Sequence, residues 1–295
     1  MPNRRRAVVI LGMHRSGTSA VAGTAVRLGA AEPRRPLDAS DDNPSGFYES
    51  EPVVEQNHKM LVQAGCAWNL CLHRDAHEIS ASAPAFSSAF TRVLHEEFGD
   101  SSLFVLKDPR LCMTFPAWLP VIRNSGIDIS VLMVMRHPAE VALSLRYRNN
   151  LPEHECIAQW LHHVLEAERV SRGLPRAVIF YNEVLANWRL SMLWAGHASG
   201  IVWPNAVQTA GREVDRFLAN DLRHQCGSRI EPTPHLAAIL PLVGRAWDIA
   251  HWLRDDPANA GHLRTLDHIR EQFAAWRRTN YPPDSKVTWP REMQR

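Results

Sequence analysis

Four stretches of the chain are almost continuously apolar, and each gives way to a turn: 7–11, 102–106, 129–135 and 176–181. Runs of this length predict strands, and the unbroken Ile129-Ser130-Val131-Leu132-Met133-Val134-Met135 is of the kind buried on both faces of a parallel sheet. Between them the apolar spacing turns helical, over 20–28, from about 52 to 64, over 86–98, over 112–124 and over 153–171, with a further helix opened by Pro138. Strands alternating with helices predict an α/β fold. From about Asn187 onward the pattern is helical and rich in tryptophan: Trp188, Trp194, Trp203, Trp247, Trp252 and Trp276. Most of these read as core, and one or two as a stacking wall for a ligand. Ala31 to Ser45 reads as a loop, and 65–101 mainly as a solvated connection in which Trp68, His73, Arg74, Asp75 and His77 are free to touch a ligand.

Composition narrows the classes. A net charge of +2 over 295 residues argues against a general nucleic-acid binder while permitting a local basic pocket. The five cysteines, Cys66, Cys71, Cys112, Cys156 and Cys226, are scattered and lack C-x-x-C pairing, which reads as reduced thiols in a cytoplasmic protein. The fifteen histidines show no metal-ligand spacing, and His162-His163 read as surface helix residues. Arg4-Arg5-Arg6 before an apolar run imitates a signal peptide, but His14-Arg15 break the run and no cleavage pattern follows. No stretch is long and apolar enough to span a membrane.

The chemistry clusters where strands end. After 7–11 comes Gly12-Met13-His14-Arg15-Ser16-Gly17-Thr18-Ser19, then a helix. Strand, glycine-bounded loop and helix point backbone N–H groups at an anion, and Gly12 and Gly17 allow a tight turn and a close phosphate approach. A Walker A loop requires lysine after its last glycine, whereas Thr18 stands there and Arg15 is the nearest cation. Lys107-Asp108-Pro109-Arg110 ends the second strand, the position where α/β folds place ligands. A lysine there can donate to a leaving oxygen; the alternative is a salt-bridged loop. Arg136 follows the third strand, and Ser144 and Arg148 share a face of the next helix, so the three can grip one phosphate. Asn43-Pro44-Ser45-Gly46-Phe47-Tyr48-Glu49 places a carboxylate among aromatics before a helix. Glu49 reads either as a general base with its pKa raised by apolar neighbours or as a helix-dipole partner.

In order, these motifs resemble the sulfotransferases that use 3′-phosphoadenosine 5′-phosphosulfate (PAPS). G-x-x-R-S-G-T-S is similar to their 5′-phosphosulfate loop, with arginine at Arg15 as in tyrosylprotein sulfotransferases. K-D-P resembles the motif whose lysine serves the leaving group. Arg136, Ser144 and Arg148 resemble the 3′-phosphate motif, and N-P-S-G-F-Y-E resembles a segment of bacterial members. Tyr181-Asn182-Glu183-Val184-Leu185 resembles a segment whose tyrosine lies beside the adenine; Tyr181 is otherwise a strand-end aromatic. Asp221-Leu222-Arg223-His224 falls where relatives place late cofactor contacts. At Ala20 some members carry an adenine-stacking tryptophan.

The resemblance implies a P-loop-type parallel sheet flanked by helices with a helical C-terminal region. It implies one domain over 1–295, with a nucleotide-binding core of about 5–190 and a helical part of about 191–280. The implied donor is PAPS, with PAP as product. The acceptor is a hydroxyl of a small molecule, glycan or natural product, and no metal is needed. Glu49, Lys107 and Arg15 are the expected catalytic residues. Gly12, His14, Arg15, Ser16, Gly17, Thr18, Ser19, Arg136, Ser144, Arg148 and Tyr181 are the expected cofactor contacts. The rival readings are a P-loop kinase or NTPase and a non-catalytic PAP-binding module.

Overall fold

Strands β1 (Arg6–Leu11), β2 (Leu103–Lys107), β3 (Asp128–Met135) and β4 (Arg176–Phe180) pair in parallel in the order β2-β1-β3-β4. The computed structural model describes residues 4–40, 43–67, 71–219, 230 and 233–282. Helices α1 (Thr18–Arg27), α2 (Glu51–Gln63), α3 (Ala76–Ser80) and α4 (Ala83–Phe98) lie between β1 and β2, and α5 (Leu111–Asn124) between β2 and β3. Helices α6 (Pro138–Asn149) and α7 (Glu153–Val170) connect β3 to β4. Then come α8 (Tyr181–Ser199), α9 (Val207–Ala219), α10 (Pro234–Ala237), α11 (Leu240–Asp255) and α12 (Ala260–Asn280). The chain thus adopts the expected α/β fold.

The period-two geometry of a strand divides the core in two. Ala7, Val9 and Leu11 of β1 face the larger core, built with α2, α4, α5, α7, α11 and α12. Val8 and Ile10 face a smaller core under α1, α8 and α9. All five residues are fully buried, which is why the run is unbroken rather than alternating.

The strand order fixes the ligand crevice. The connection after β1 runs to β2 on one side, and the connection after β3 runs to β4 on the other. The carboxyl ends of β1 and β3 therefore flank a topological switch point, where the diverging loops leave a crevice.

Three expectations are corrected. The connection before the helix expected over 86–98 is not a solvated one: among its described residues Cys66, Cys71, Leu72, Ala76 and Ile79 are buried. Arg277 of α12 pins it by donating to the carbonyls of Leu72 (2.9 Å) and Arg74 (3.1 Å). His162 and His163 are core residues at 1% exposure rather than surface ones. The helix expected from Asn187 starts at Tyr181, and Asn187 is instead where α8 breaks, with φ −156° and ψ 78°. Trp68, Cys226 and the Asp221–His224 segment lie outside the described residues.

Candidate functional site

A cleft of about 290 Å³ opens above the carboxyl ends of the strands. Its walls come from all four strand ends: His14, Arg15, Gly17, Thr18 and Ser19 after β1, Lys107 and Arg110 at β2, Arg136 after β3, and Tyr181 after β4. Asn43, Pro44, Phe47 and Glu49 close one side, and Arg148 of α6 reaches in from the other.

The first loop is shaped by two left-handed residues, Arg15 (φ 68°) and Gly17 (φ 88°). Gly17 is the N-cap of α1 and makes no side-chain cap, so the first-turn N–H groups carry the helix's positive end beside the cleft without a capping side chain. A Cβ at Gly17 would stand 2.1 Å from the Tyr181 ring, so only glycine lets the tyrosine lie against the loop. At Gly12 the N–H donates to Cys112 Sγ (3.3 Å), and a Cβ there would meet the Val134 carbonyl at 2.7 Å, so glycine makes room for β3.

The arginine end is a linked unit. Arg136 Nη1 donates to the Arg15 carbonyl (3.0 Å), and Arg15 Nε donates to Ser144 Oγ (2.9 Å). Arg136 Nε donates to Glu140 Oε2 (2.9 Å), and its guanidinium lies 5.2 Å from the Tyr181 ring centre. Trp160 holds the Arg136 carbonyl from behind (3.0 Å). Ser144 orients Arg15 from behind and, like Gly12 and Ser16, does not line the cleft. The i, i+4 partner Glu140 was legible in the sequence by spacing but was missed.

At the other end, buried Lys107 Nζ donates to Glu49 Oε1 (2.5 Å), Ser19 Oγ (3.1 Å) and the Phe47 carbonyl (3.1 Å). Arg110 Nη1 lies 3.0 Å from Asp108 Oδ1 and 3.8 Å from Glu49 Oε2. Burial pushes the Glu49 carboxyl above its usual range; Lys107 opposes this, Asp108 adds to it, and Arg110 opposes it. His14 is held well below the ordinary histidine value. Burial acts first, then Arg110, His163, Lys107 and Arg148, so the imidazole is neutral and offers one N–H.

A support unforeseen from sequence stands behind Asp108. Asn57 of α2, fully buried, donates to Asp108 Oδ2 (2.8 Å) and accepts from Thr114 Oγ1 (2.8 Å) and Trp118 Nε1 (2.7 Å). Its signal was a polar residue in the apolar stripe of Val53, Met60 and Leu61. Glu49 is held from the same side. Ser50 caps α2 and donates to buried Glu97 of α4 (2.9 Å), which also accepts from Arg35 Nε (2.7 Å). No tryptophan lines the cleft among the described residues, so the expected stacking wall is absent there; Ala20 is among the residues that do line it.

No helix among the described residues is long and apolar enough to cross a membrane. No family model and no curated protein matches the chain. Among solved structures it is similar to the sulfotransferase domain of the Synechococcus PCC 7002 olefin synthase, at 12% identity over 92% of this chain and 96% of that one, with a TM-score of 0.42. It is also similar to the sulfotransferase domain of the curacin biosynthetic pathway, at 15% identity over 79% of this chain and 83% of that one, with a TM-score of 0.36.

Proposed function

We propose that the chain transfers a sulfuryl group from PAPS to a hydroxyl of a small-molecule, glycan or natural-product acceptor. One observation carries the reading: Arg15 and Arg136 meet at the switch-point crevice, bonded to each other, while Lys107 and Glu49 face the same cleft from its other end. Adjoining anion-holding arginines and one acid–base pair in one cleft suit a nucleotide with two anionic groups, one of which carries the reacting sulfuryl at its end.

The residues present fit that donor. The uncapped α1 terminus, Arg15 and the neutral His14 N–H suit a 5′-phosphosulfate. Arg136 and Arg148 suit a 3′-phosphate, with Ser144 holding Arg15, and Tyr181 offers a ring beside the base. The donor supplies an activated sulfuryl group. The acceptor oxygen bonds to sulfur as the bond from sulfur to the bridging oxygen breaks, and the hydroxyl proton goes to Glu49. Glu49 and Lys107 neutralise each other beforehand. As Glu49 gains the proton it ceases to hold the ammonium, and the charge of Lys107 becomes available to the departing oxygen together with Arg15. The cation is thus released where and when negative charge develops.

Thermal-shift titrations test the reading. PAP should raise the melting temperature without a divalent cation, by more than Mg-ATP does. Stabilisation by Mg-ATP alone would favour the kinase or NTPase reading. PAP binding without turnover on any acceptor would favour the non-catalytic module.

A further inference from the structure

Tyr48, next to Glu49, has a left-handed backbone at φ 57°. A bulky aromatic side chain rarely adopts that region, and such a residue persists only where its surroundings over-determine it. Here they do. The Tyr48 ring packs edge-on against Phe217 of α9, with centres 5.9 Å apart. Its hydroxyl accepts from Arg27 Nη1 of α1 (2.9 Å), which also donates to the Gly23 carbonyl (2.9 Å). The Arg27 guanidinium lies 3.9 Å from the centre of the Phe217 ring, and Glu213, one turn earlier on α9, stands 4.0 Å from Arg27 Nε. Gly23 belongs to the same fit: a Cβ there would sit 2.4 Å from Phe217 and 2.8 Å from Tyr48. Two helices, α1 and α9, thus close on the residue before Glu49.

The flanking residues point the other way. Phe47 lines the cleft and gives its carbonyl to Lys107, and Glu49 lines the cleft and accepts from the same ammonium. On the far side the Glu49 carbonyl accepts from Leu37 N (2.8 Å), and Ser50 caps α2. The Glu49 backbone is therefore fixed at both sides, by the helix cap after it and by the Tyr48 clamp before it.

We infer that Tyr48 is a positioning residue, and that Gly23, Arg27 and Phe217 set the placement of Glu49 against Lys107 without touching a reactant. The inference rests on the sulfuryl-transfer reading for the consequence to rate; the geometric part is independent of it. Truncating Phe217 frees the Tyr48 ring, lets the backbone at Tyr48 relax, and admits water to Glu49. The Glu49 carboxyl then titrates away from its parent value, because both its burial and its bond to Lys107 change. Small misplacements of a reacting group weigh heavily on rate, of order 10²-fold for about an ångström.

The test compares the parent with Phe217→Ala, Phe217→Tyr and Tyr48→Phe in the full chain. The Glu49 titration is read by carbon-13 NMR of labelled glutamate, assigned by difference from Glu49→Gln. PAP binding is read by calorimetry, and PAPS turnover by release of PAP. In Phe217→Ala the Glu49 titration shifts from that of the parent, PAPS turnover falls about 10²-fold at unchanged KM for PAPS, and PAP binds as in the parent, which also shows that the variant is folded. Phe217→Tyr restores the parent titration, and Tyr48→Phe, which keeps the ring and loses the Arg27 bond, lies between. An unmoved Glu49 titration in Phe217→Ala overturns the positioning role, with the sulfuryl reading intact if PAP still binds. A parent that neither binds PAP nor turns PAPS over overturns the sulfuryl reading instead, while the NMR comparison still decides whether the clamp sets Glu49.

Discussion

At the end of the cleft assigned to the donor, Arg15 leans on a serine hydroxyl and Arg136 on a backbone carbonyl, with Glu140 behind Arg136. At the end assigned to the acceptor, Lys107 and Arg110 are held by the carboxylates of Glu49 and Asp108. A carboxylate at contact distance cancels most of a cation's charge, and both ends have one: Glu140 on Arg136 and Glu49 on Lys107. The first end differs in bringing three guanidiniums, Arg15, Arg136 and Arg148, to the cleft beside Glu140, a positive excess that attracts an anion. The second has its charge balanced internally until a proton moves. Binding and turnover should accordingly separate by mutation.

The largest effect tests that separation at the lysine. Lys107→Ala should reduce PAPS turnover by about 10²–10³-fold, the typical loss for one transition-state donor, with PAP affinity largely kept. Turnover within a few-fold of the parent would remove Lys107 from the chemistry. Next, Asn57→Ala strips a partner from Asp108, Thr114 and Trp118 together. It should destabilise the fold by about 3 kcal/mol in urea titration, the scale of leaving buried polar groups unpaired, and should weaken turnover more than PAP binding. Arg136→Ala should do the converse, weakening PAP by about 10- to 100-fold, the worth of charge-assisted bonds to one phosphate.

How far each end could be read in advance follows from how it is built. The donor end is written in short motifs, because a strand end and the helix after it are neighbours in sequence: Arg15 and Gly17 follow β1, and Arg136 and Ser144 follow β3, before or within the next helix. The four strands were legible for the same reason, as runs buried on both faces. The acceptor end depends on partners far apart, such as Asn57 with Asp108 and Tyr48 with Phe217, and no local period encodes them. The stretch 65–101 looked polar because its apolar positions are interleaved with charges, yet Arg277 from the far end of the chain ties it into the core. The close approach of β3 to Gly12 is likewise not visible in the local sequence.

The smallest predicted effect concerns pH. Burial holds His163 at about 4, and it holds His162 and His14 well below the usual histidine value. These groups are neutral when folded and take up protons when unfolded below about pH 6.5. Their stabilisation is complete above that value and is lost as pH falls through the folded values. For His163 the loss at pH 5.5 is about 1 kcal/mol, measurable as a lower urea midpoint. Replacing His163 by Gln should flatten that dependence, and an unchanged slope would mean that other groups carry it.

The central claim is that a single cleft holds both anionic ends of one nucleotide, and calorimetry with PAP and with AMP, which lacks the 3′-phosphate, tests it most directly. PAP should bind the parent at least about tenfold more tightly than AMP, and Arg136→Ala should erase the difference. Equal affinities for the two nucleotides in the parent, or a preference for PAP that survives Arg136→Ala, would contradict it.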